Sequence, residues 1–298
     1  MVGEFLTPAL ACQFAQAFGT YVGAGRVVVG RDTRSSGPML EHAVTCGLLA
    51  AGCEVMELGV LPTPTIQMYV AETRASGGLA VTASHNPPEY NALKLFNGAG
   101  LFFNNYERGE LLDLYHQTDF RQATNAEMRG VVQDRGSASR RHIARVLEHV
   151  DPERVRRRGF RVALDAVNGA GSLMKSAFLR ETLGCELHAI SVDPTKPFPR
   201  VAEPRPDTLT DLSQLVRETG AEIGFGLDPD GDRLAVLDET GRVLDPDDVL
   251  ALAVDIVLRR RKGNVVVNLT TSSGIDDIAA AQGCRVYRSP VGEANVVE

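Results

Sequence analysis

A serine on a rigid corner and three carboxylates at alternate positions are the residues of this chain best placed to do chemistry. The first stretch is Val81-Thr-Ala-Ser-His-Asn-Pro-Pro88. An apolar run, Gly78 to Val81, breaks into a small polar turn at Ser84, and Pro87 and Pro88 forbid a helix at its exit. Such a corner holds a hydroxyl at the end of a strand with His85 beside it, which suits a nucleophile. A Ser-Asn-Pro turn without chemistry has the same composition, and the segment alone does not separate the two. The second stretch is Gly226-Leu-Asp-Pro-Asp-Gly-Asp-Arg233. Three carboxylates at every second position repel one another unless a cation sits among them, and hard oxygen ligands suit Mg²⁺ or Ca²⁺. An EF-hand would place Asp228, Asp230 and Asp232 at loop positions one, three and five, and Glu239 at twelve. Its sixth position requires Gly and holds Arg233, and residues 234–237 read as a strand, so that reading fails. A solvated acidic turn is the other alternative. Against it stand Arg233 directly after the acids and apolar strands on both sides.

A reactive serine with a three-carboxylate Mg²⁺ loop points to phosphoryl chemistry. Thr82-Ala-Ser-His-Asn-Pro87 and Asp228-Pro-Asp-Gly-Asp-Arg233 resemble the two signatures of the α-D-phosphohexomutases. These comprise phosphoglucomutases, phosphomannomutases and phosphoglucosamine mutases, and the likeness covers essentially the whole chain. It implies that Ser84 carries a phosphoryl group and gives it to a hydroxyl of a hexose or hexosamine monophosphate. The 1,6-bisphosphate then reorients and returns its other phosphate to Ser84. The likeness further implies one Mg²⁺ on Asp228, Asp230, Asp232 and a Ser84 phosphate oxygen, with a hexose 1,6-bisphosphate as activator. Lys94, in the strand after the serine loop, would assist proton transfer or stabilise charge. His85 would orient the phosphate or relay a proton, and Arg233 would touch the phosphoryl group or bridging oxygens. Arg31 and Arg34 would hold the loop or a phosphate. Each has a plainer reading: an exposed strand lysine, a solvated turn histidine, structural arginines.

The chain departs from the family pattern at both ends. By the resemblance, Met1-Val-Gly-Glu-Phe5 is expected to fall just beyond the family's Phe-Gly-Thr-x-Gly-x-Arg-Gly type segment, and Gly292-Glu-Ala-Asn-Val-Val-Glu298 to fall short of its sugar-recognition loop and fourth, phosphate-binding domain. The expectation is a phosphoryl-transfer half, inactive or impaired alone. A phosphosugar-binding module and a phosphoserine-dependent phosphatase are the alternatives. Asn268-Leu-Thr-Thr-Ser272 leans towards phosphoglucosamine or broad phosphosugar mutases, with Thr270 where some relatives carry lysine.

The elements that must position these residues follow a simple rhythm. Strands are expected at 26–29, 53–58, 78–81, 91–96, 160–164, 185–190, 222–227, 234–237, 264–268 and 284–287. Helices are expected at 6–22, before 51, 61–72, 107–116, 139–149, 172–183, 207–219, 245–261 and 274–282. Strands alternating with helices mean α/β sheets covered on both faces. The resemblance makes these tandem mixed-sheet α/β domains of the phosphohexomutase type. Residues 118–138 are the linker candidate, and the expected domains are 1–135 bearing the serine, 136–243 bearing the metal loop, and 244–298 as the start of a third, with no fourth. Strands beginning at Arg26, Arg161 and Asn264 each run into a small polar loop and a helix, a weak internal repeat.

At 298 residues and 44% hydrophobic composition, the chain has room for two or three domains of roughly 100–150 residues. With a net charge of −7 and no dense Lys/Arg stripe, nucleic acid is not an expected partner. No apolar run is long enough for a membrane span. Five cysteines without a Cys-x-x-Cys pair read as reduced thiols of a cytoplasmic protein. The protein partners expected are a second copy or a complementing C-terminal half.

Overall fold

A computed structural model describes residues 1–134 and 136–297. They form two compact units, Met1–Arg242 and Val243–Glu298. The first unit opens with α1 (Pro8–Tyr21), where Thr7 caps the helix by accepting from the Leu10 N–H and Pro8 occupies the first turn. There follow β1 (Arg26–Arg31), α2 (Gly37–Ala50), β2 (Glu54–Val60), α3 (Thr63–Thr73), β3 (Gly77–Val81), β4 (Leu93–Asn97), α4 (Asn105–Gln117) and β5 (Val131–Gln133). The strand order is β4-β3-β1-β2-β5, all parallel except the β3–β4 pair. The pleat of β1 sends Val27 and Val29 into one core with Phe18, Leu40, Val44 and Leu48, and Val28 into the opposite core with Ile66 and Val70. Helices therefore cover both faces, and the central strand is apolar and buried from Val27 to Gly30, with an arginine at each end.

Next come α5 (Ser137–Leu147), α6 (Pro152–Arg158), β6 (Arg161–Asp165), α7 (Gly171–Ala177) running into a π-helical turn (Phe178–Thr182), β7 (Glu186–Ile190), α8 (Thr210–Thr219), β8 (Ile223–Leu227) and β9 (Leu234–Leu237). Their order is β7-β6-β8-β9, with only β8–β9 antiparallel. Numbered within each sheet, the first reads 5-2-1-3-4 and the second 2-1-3-4, so the two share the order of their first four strands and the repeat glimpsed in the sequence is a repeat of topology. The serine turn joins strands three and four of the first sheet; the carboxylate loop joins the same two strands of the second.

Three details add to the expected order. The linker candidate 118–138 contains β5, an exposed edge strand too short and too polar in its surroundings to announce itself. The arginine-rich run at 154–158 is helical, capped by Asp151 at its start and Gly159 at its end, with three arginines at the C-terminal dipole. Helix α5 belongs to both layers: Ala138 is buried in the core beneath the first sheet, and Leu147 packs into that of the second. The expected boundary after residue 135 falls at its entrance, and Arg135 itself lies outside the described residues.

The second unit holds α9 (Pro246–Arg260), β10 (Val265–Asn268), α10 (Gly274–Ala281), β11 (Val286–Ser289) and α11 (Glu293–Val297). Strands β10 and β11 pair in parallel. Leu258, Val267, Ile275 and Ala279 are its buried apolar residues. Among the described residues, no helix is long and apolar enough to cross a membrane.

Candidate active site

Ser84 leaves β3 in the left-handed region, at φ +50°. That conformation costs a non-glycine residue energy, so its surroundings must hold it there. The Ser84 N–H donates to Thr82 Oγ1 at 3.0 Å, and the Thr82 hydroxyl donates to Asp32 Oδ2 at 2.7 Å. Arg34, 2% exposed, does the rest. Its Nε donates to Asp32 Oδ2 at 2.9 Å, its Nη1 to the carbonyls of Pro87 and Tyr90, and its Nη2 to those of Ser84 and Asn86. Four carbonyls of the serine loop thus turn inward onto one guanidinium. A buried cation of this kind is tolerable only because it is ion-paired and every donor is used.

The Ser84 hydroxyl faces the loop between β8 and β9. Its Oγ lies 2.7 Å from Asp228 Oδ2 and 3.2 Å from Asp232 Oδ1, sharing its single proton between them. Lys94, on β4, donates from Nζ to Asp230 Oδ2 and Asp232 Oδ2, both at 2.6 Å. Thr63, at the start of α3, donates from its hydroxyl to Asp230 Oδ2 at 2.6 Å and from its N–H to the Asp230 carbonyl at 2.8 Å. The Arg233 N–H donates to Asp228 Oδ1 at 3.0 Å. From behind, the Ala170 N–H donates to the Pro229 carbonyl at 2.7 Å. Gly169 lies so close that a Cβ there would come within 2.5 Å of the same oxygen, which excludes any side chain.

Charge in this cluster is strongly coupled. Burial, then repulsion from Asp230 and Asp232, pushes the Asp228 carboxyl up to about 8. Burial acts the same way on Asp230, but the Lys94 ammonium and hydrogen bonds from Lys94 and Thr63 overcome it and hold that carboxyl below its usual range. Lys94 is buried against its charge, yet the two carboxylates raise its pKa above that of a free lysine. The three carboxylates offer ligand oxygens within 4.8 Å of one another. Asp230 Oδ1 is buried and has no hydrogen-bond partner among the described residues. An orphaned carboxylate oxygen inside a carboxylate cluster fits a hard divalent cation.

Five sequence candidates therefore meet: Ser84, Lys94, Asp228, Asp230 and Asp232. The others sit apart. His85 is half-buried, with Nδ1 enclosed and unpartnered among the described residues. The Arg233 guanidinium bonds to Glu203 at 2.5 Å on the exposed rim, so here it does not touch Ser84. Arg31 pairs with Glu41 at 2.8 Å and with the Asp32 carbonyl, away from the serine turn. Arg34 holds the loop, and no N–H of its guanidinium is left for a phosphate, because burial obliges it to spend all of them on the protein. Asp32, Thr63 and Glu203 were not among the candidates, and Thr82 stood in the serine signature without a role; Thr63 meets Asp230 across 167 positions of sequence.

Tandem α/β domains of one topology, bringing a serine hydroxyl against a carboxylate loop, define the class of protein. The chain matches the models of phosphoglucomutase/phosphomannomutase alpha/beta/alpha domain I over residues 1–122, domain II over 140–241 and domain III over 245–298. It belongs to that family. It is 39% identical over 297 residues to a Methanopyrus kandleri protein named "Probable phosphoglucosamine mutase", covering 99% of this chain and 64% of that one. It is 38% identical over 300 residues to a phosphoglucomutase/phosphomannomutase of Thermococcus kodakarensis, covering 98% of this chain and 65% of that one. The crystal structure of a phosphoglucomutase/phosphomannomutase family protein from Burkholderia thailandensis superimposes with a TM-score of 0.85 at 27% identity, covering 99% of this chain and 65% of that one. The chain thus spans about two thirds of the length of these relatives.

Proposed function

We propose that this polypeptide carries the phosphoryl-transfer centre of a phosphohexomutase, moving phosphate between C6 and C1 of a hexose or hexosamine through phospho-Ser84 and a 1,6-bisphosphate. The observation that carries the reading is Ser84 Oγ 2.7 Å from Asp228, with Lys94 spanning the other two carboxylates. Ser84 is the nucleophile, presented at the end of a rigid strand. Asp228, Asp230 and Asp232 would hold one Mg²⁺, which when bound supplies a positive charge that stabilises charge on the phosphoryl group. Lys94 adds a second, fixed positive charge beside the serine. Family membership and the names of the relatives support the reaction class; those names differ in the sugar, and a Thermococcus kodakarensis phosphopentomutase is 38% identical over 293 residues. The substrate class we propose is the hexosamine and hexose monophosphates, the location the cytoplasm, and the protein partner a second copy or a complementing C-terminal segment.

The test is mass spectrometry of the chain after incubation with Mg²⁺ and glucose 1,6-bisphosphate. Phosphate is expected on Ser84, absent in Ser84→Ala and strongly reduced in Asp230→Asn. Phosphate elsewhere, or uptake unchanged in Ser84→Ala, would refute the assignment. Release of inorganic phosphate faster than sugar isomerisation, with the complementing segment added, would convert the reading to a phosphatase.

A further inference from the structure

The two functional loops are braced in the same way, by residues that occupy matching places in the two sheets. Asp32 directly follows β1 and Asp165 ends β6, the first strand of each sheet. Each carboxylate accepts the N–H two residues on: Asp32 Oδ1 from Arg34 at 3.0 Å, Asp165 Oδ1 from Val167 at 2.8 Å. Each gives its other oxygen to an arginine Nε, Asp32 to Arg34 at 2.9 Å and Asp165 to Arg200 at 2.6 Å. Each arginine then reaches the loop that follows strand three. Arg34 Nη2 donates to the Ser84 carbonyl at 2.6 Å, and Arg200 Nη2 to that of Leu227, the residue before Asp228, at 2.7 Å. The register agrees. Arg31 pairs with Val81, which sets Asp32 level with Thr82, and Asp165 pairs with Gly226. Two residues beyond each lie Ser84 and Asp228, the pair joined at 2.7 Å. The arginines come from different segments, one from the turn after β1 and one from the crossing after β7, so the arrangement was met twice by different routes.

We propose that Asp32–Arg34 and Asp165–Arg200 are the positioning residues of this site, the first aiming the serine and the second aiming the carboxylate loop. The inference rests on the phosphoryl-transfer reading. Both pairs are enclosed, with side chains 0% exposed for Arg34 and Asp32 and 12% and 2% for Arg200 and Asp165. Every N–H of the Arg34 guanidinium goes to a carbonyl or to Asp32, and each nitrogen of the Arg200 guanidinium is engaged by Asp165 or by the carbonyls of Val201, Ala202 and Leu227. What each does is fix a backbone: Ser84 is kept left-handed, and Asp228 is kept at the mouth of its strand. A lysine cannot reproduce this, since it lacks the planar fork that spans a carboxylate and several carbonyls at once.

The test uses the full chain with Arg200→Lys, Arg34→Lys and Thr82→Val, the last cutting the link from Asp32 to the Ser84 N–H at constant size in case Arg34→Lys fails to fold. Three quantities are read: Mn²⁺ affinity of the unphosphorylated chain, the rate of phosphate uptake on Ser84 from glucose 1,6-bisphosphate, and the melting temperature. Arg200→Lys is expected to weaken Mn²⁺ binding about 10–100-fold, as loss of an outer-shell partner does. Arg34→Lys and Thr82→Val are expected to leave Mn²⁺ affinity at the parent value and slow uptake about 100-fold, the cost of a nucleophile misplaced by about an ångström. Folded variants with parent affinity and parent uptake would overturn the proposal, and so would losses of both that merely track the melting temperature. A parent chain that takes up no phosphate would sink the functional reading instead. The Mn²⁺ arm and hydrogen exchange at residues 82–88, faster in Arg34→Lys and Thr82→Val, would still decide the braces.

Discussion

Lys94 shows what a single side chain does when charge is scarce. Its Nζ sits 2.6 Å from oxygens of both Asp230 and Asp232, and its raised pKa makes it a counter-ion, not a base. Without metal it is the charge that makes Asp230, 1% exposed at its side chain, tolerable in the interior. Lys94→Met should therefore destabilise the metal-free chain by up to about 3–5 kcal/mol, the range for orphaning a buried ion-pair partner. The same change should tighten divalent-cation binding, because the ion no longer competes with an ammonium. Melting curves with and without Mg²⁺ check both halves; a variant that melts like the parent in the absence of metal contradicts the argument. Asp134 gives a pH-dependent case. Burial tends to raise its carboxyl, but hydrogen bonds from Ser137 and Tyr69 outweigh this and hold it below the usual range. A carboxyl depressed by folding contributes stability that is present above its unfolded pKa and lost as pH falls through the folded value. Asp134→Asn should thus cost about 1 kcal/mol at neutral pH, the low end for a charged acceptor that water still reaches. The gap between the two melting curves should close below about pH 4, near the unfolded aspartate pKa.

At the scale of elements, the layers are set by how closely neighbours approach. Helices α1 and α2 pack backbone to backbone at Gly47, where a Cβ would come within 2.0 Å of the Cys12 carbonyl oxygen. No rotamer relieves a clash with backbone, so the helices must separate to admit a methyl group. Gly47→Ala should destabilise the chain by about 1–3 kcal/mol, as overpacking does, despite the better helix propensity of alanine. A rise in melting temperature would show that helix propensity outweighs the contact. Helix α5 poses the opposite problem, since it must hold two layers at once. Its start at Gly136 lacks a side-chain cap of its own, and Asp134 supplies one by accepting the Ser137 N–H at 2.9 Å. The Thr65 hydroxyl, on α3, lies 2.7 Å from Nδ1 of His142, on α5.

For the whole molecule, the unit Met1–Arg242 contains every member of the cluster: Ser84, Lys94, Thr63 and the three carboxylates. The bonds that join its two sheets are largely the bonds of the site, so a cation among the carboxylates should raise stability across the unit by mass action. A fragment of residues 1–242 is expected to bind Mn²⁺ with the affinity of the full chain, and residues 243–298 to bind none at that strength. A titration in which the fragment loses the affinity would place a ligand in the second unit. Recognition of the sugar is a separate matter, and the relatives are about half as long again as this chain.

The sequence by itself determined the order of most strands and helices (β5, α6 and α11 excepted), the alternation that covers both sheet faces, and the two short segments that carry Ser84 and the carboxylates. Those features are local: strand period, proline and glycine punctuation, and acids spaced two apart report on neighbours in the chain. Tertiary structure alone decided which side chains meet. Thr63 with Asp230, Ser84 with Asp228, and Arg34 with four carbonyls of a loop some fifty residues on are contacts that no period encodes. It also decided what Arg34 is for, since a guanidinium in a polar turn looks like a phosphate ligand until burial shows where its donors go. The 2-1-3-4 order shared by the two sheets lay between the two: their βα units were visible as a faint repeat, but the pairing that sets both loops face to face exists only once the chain has folded.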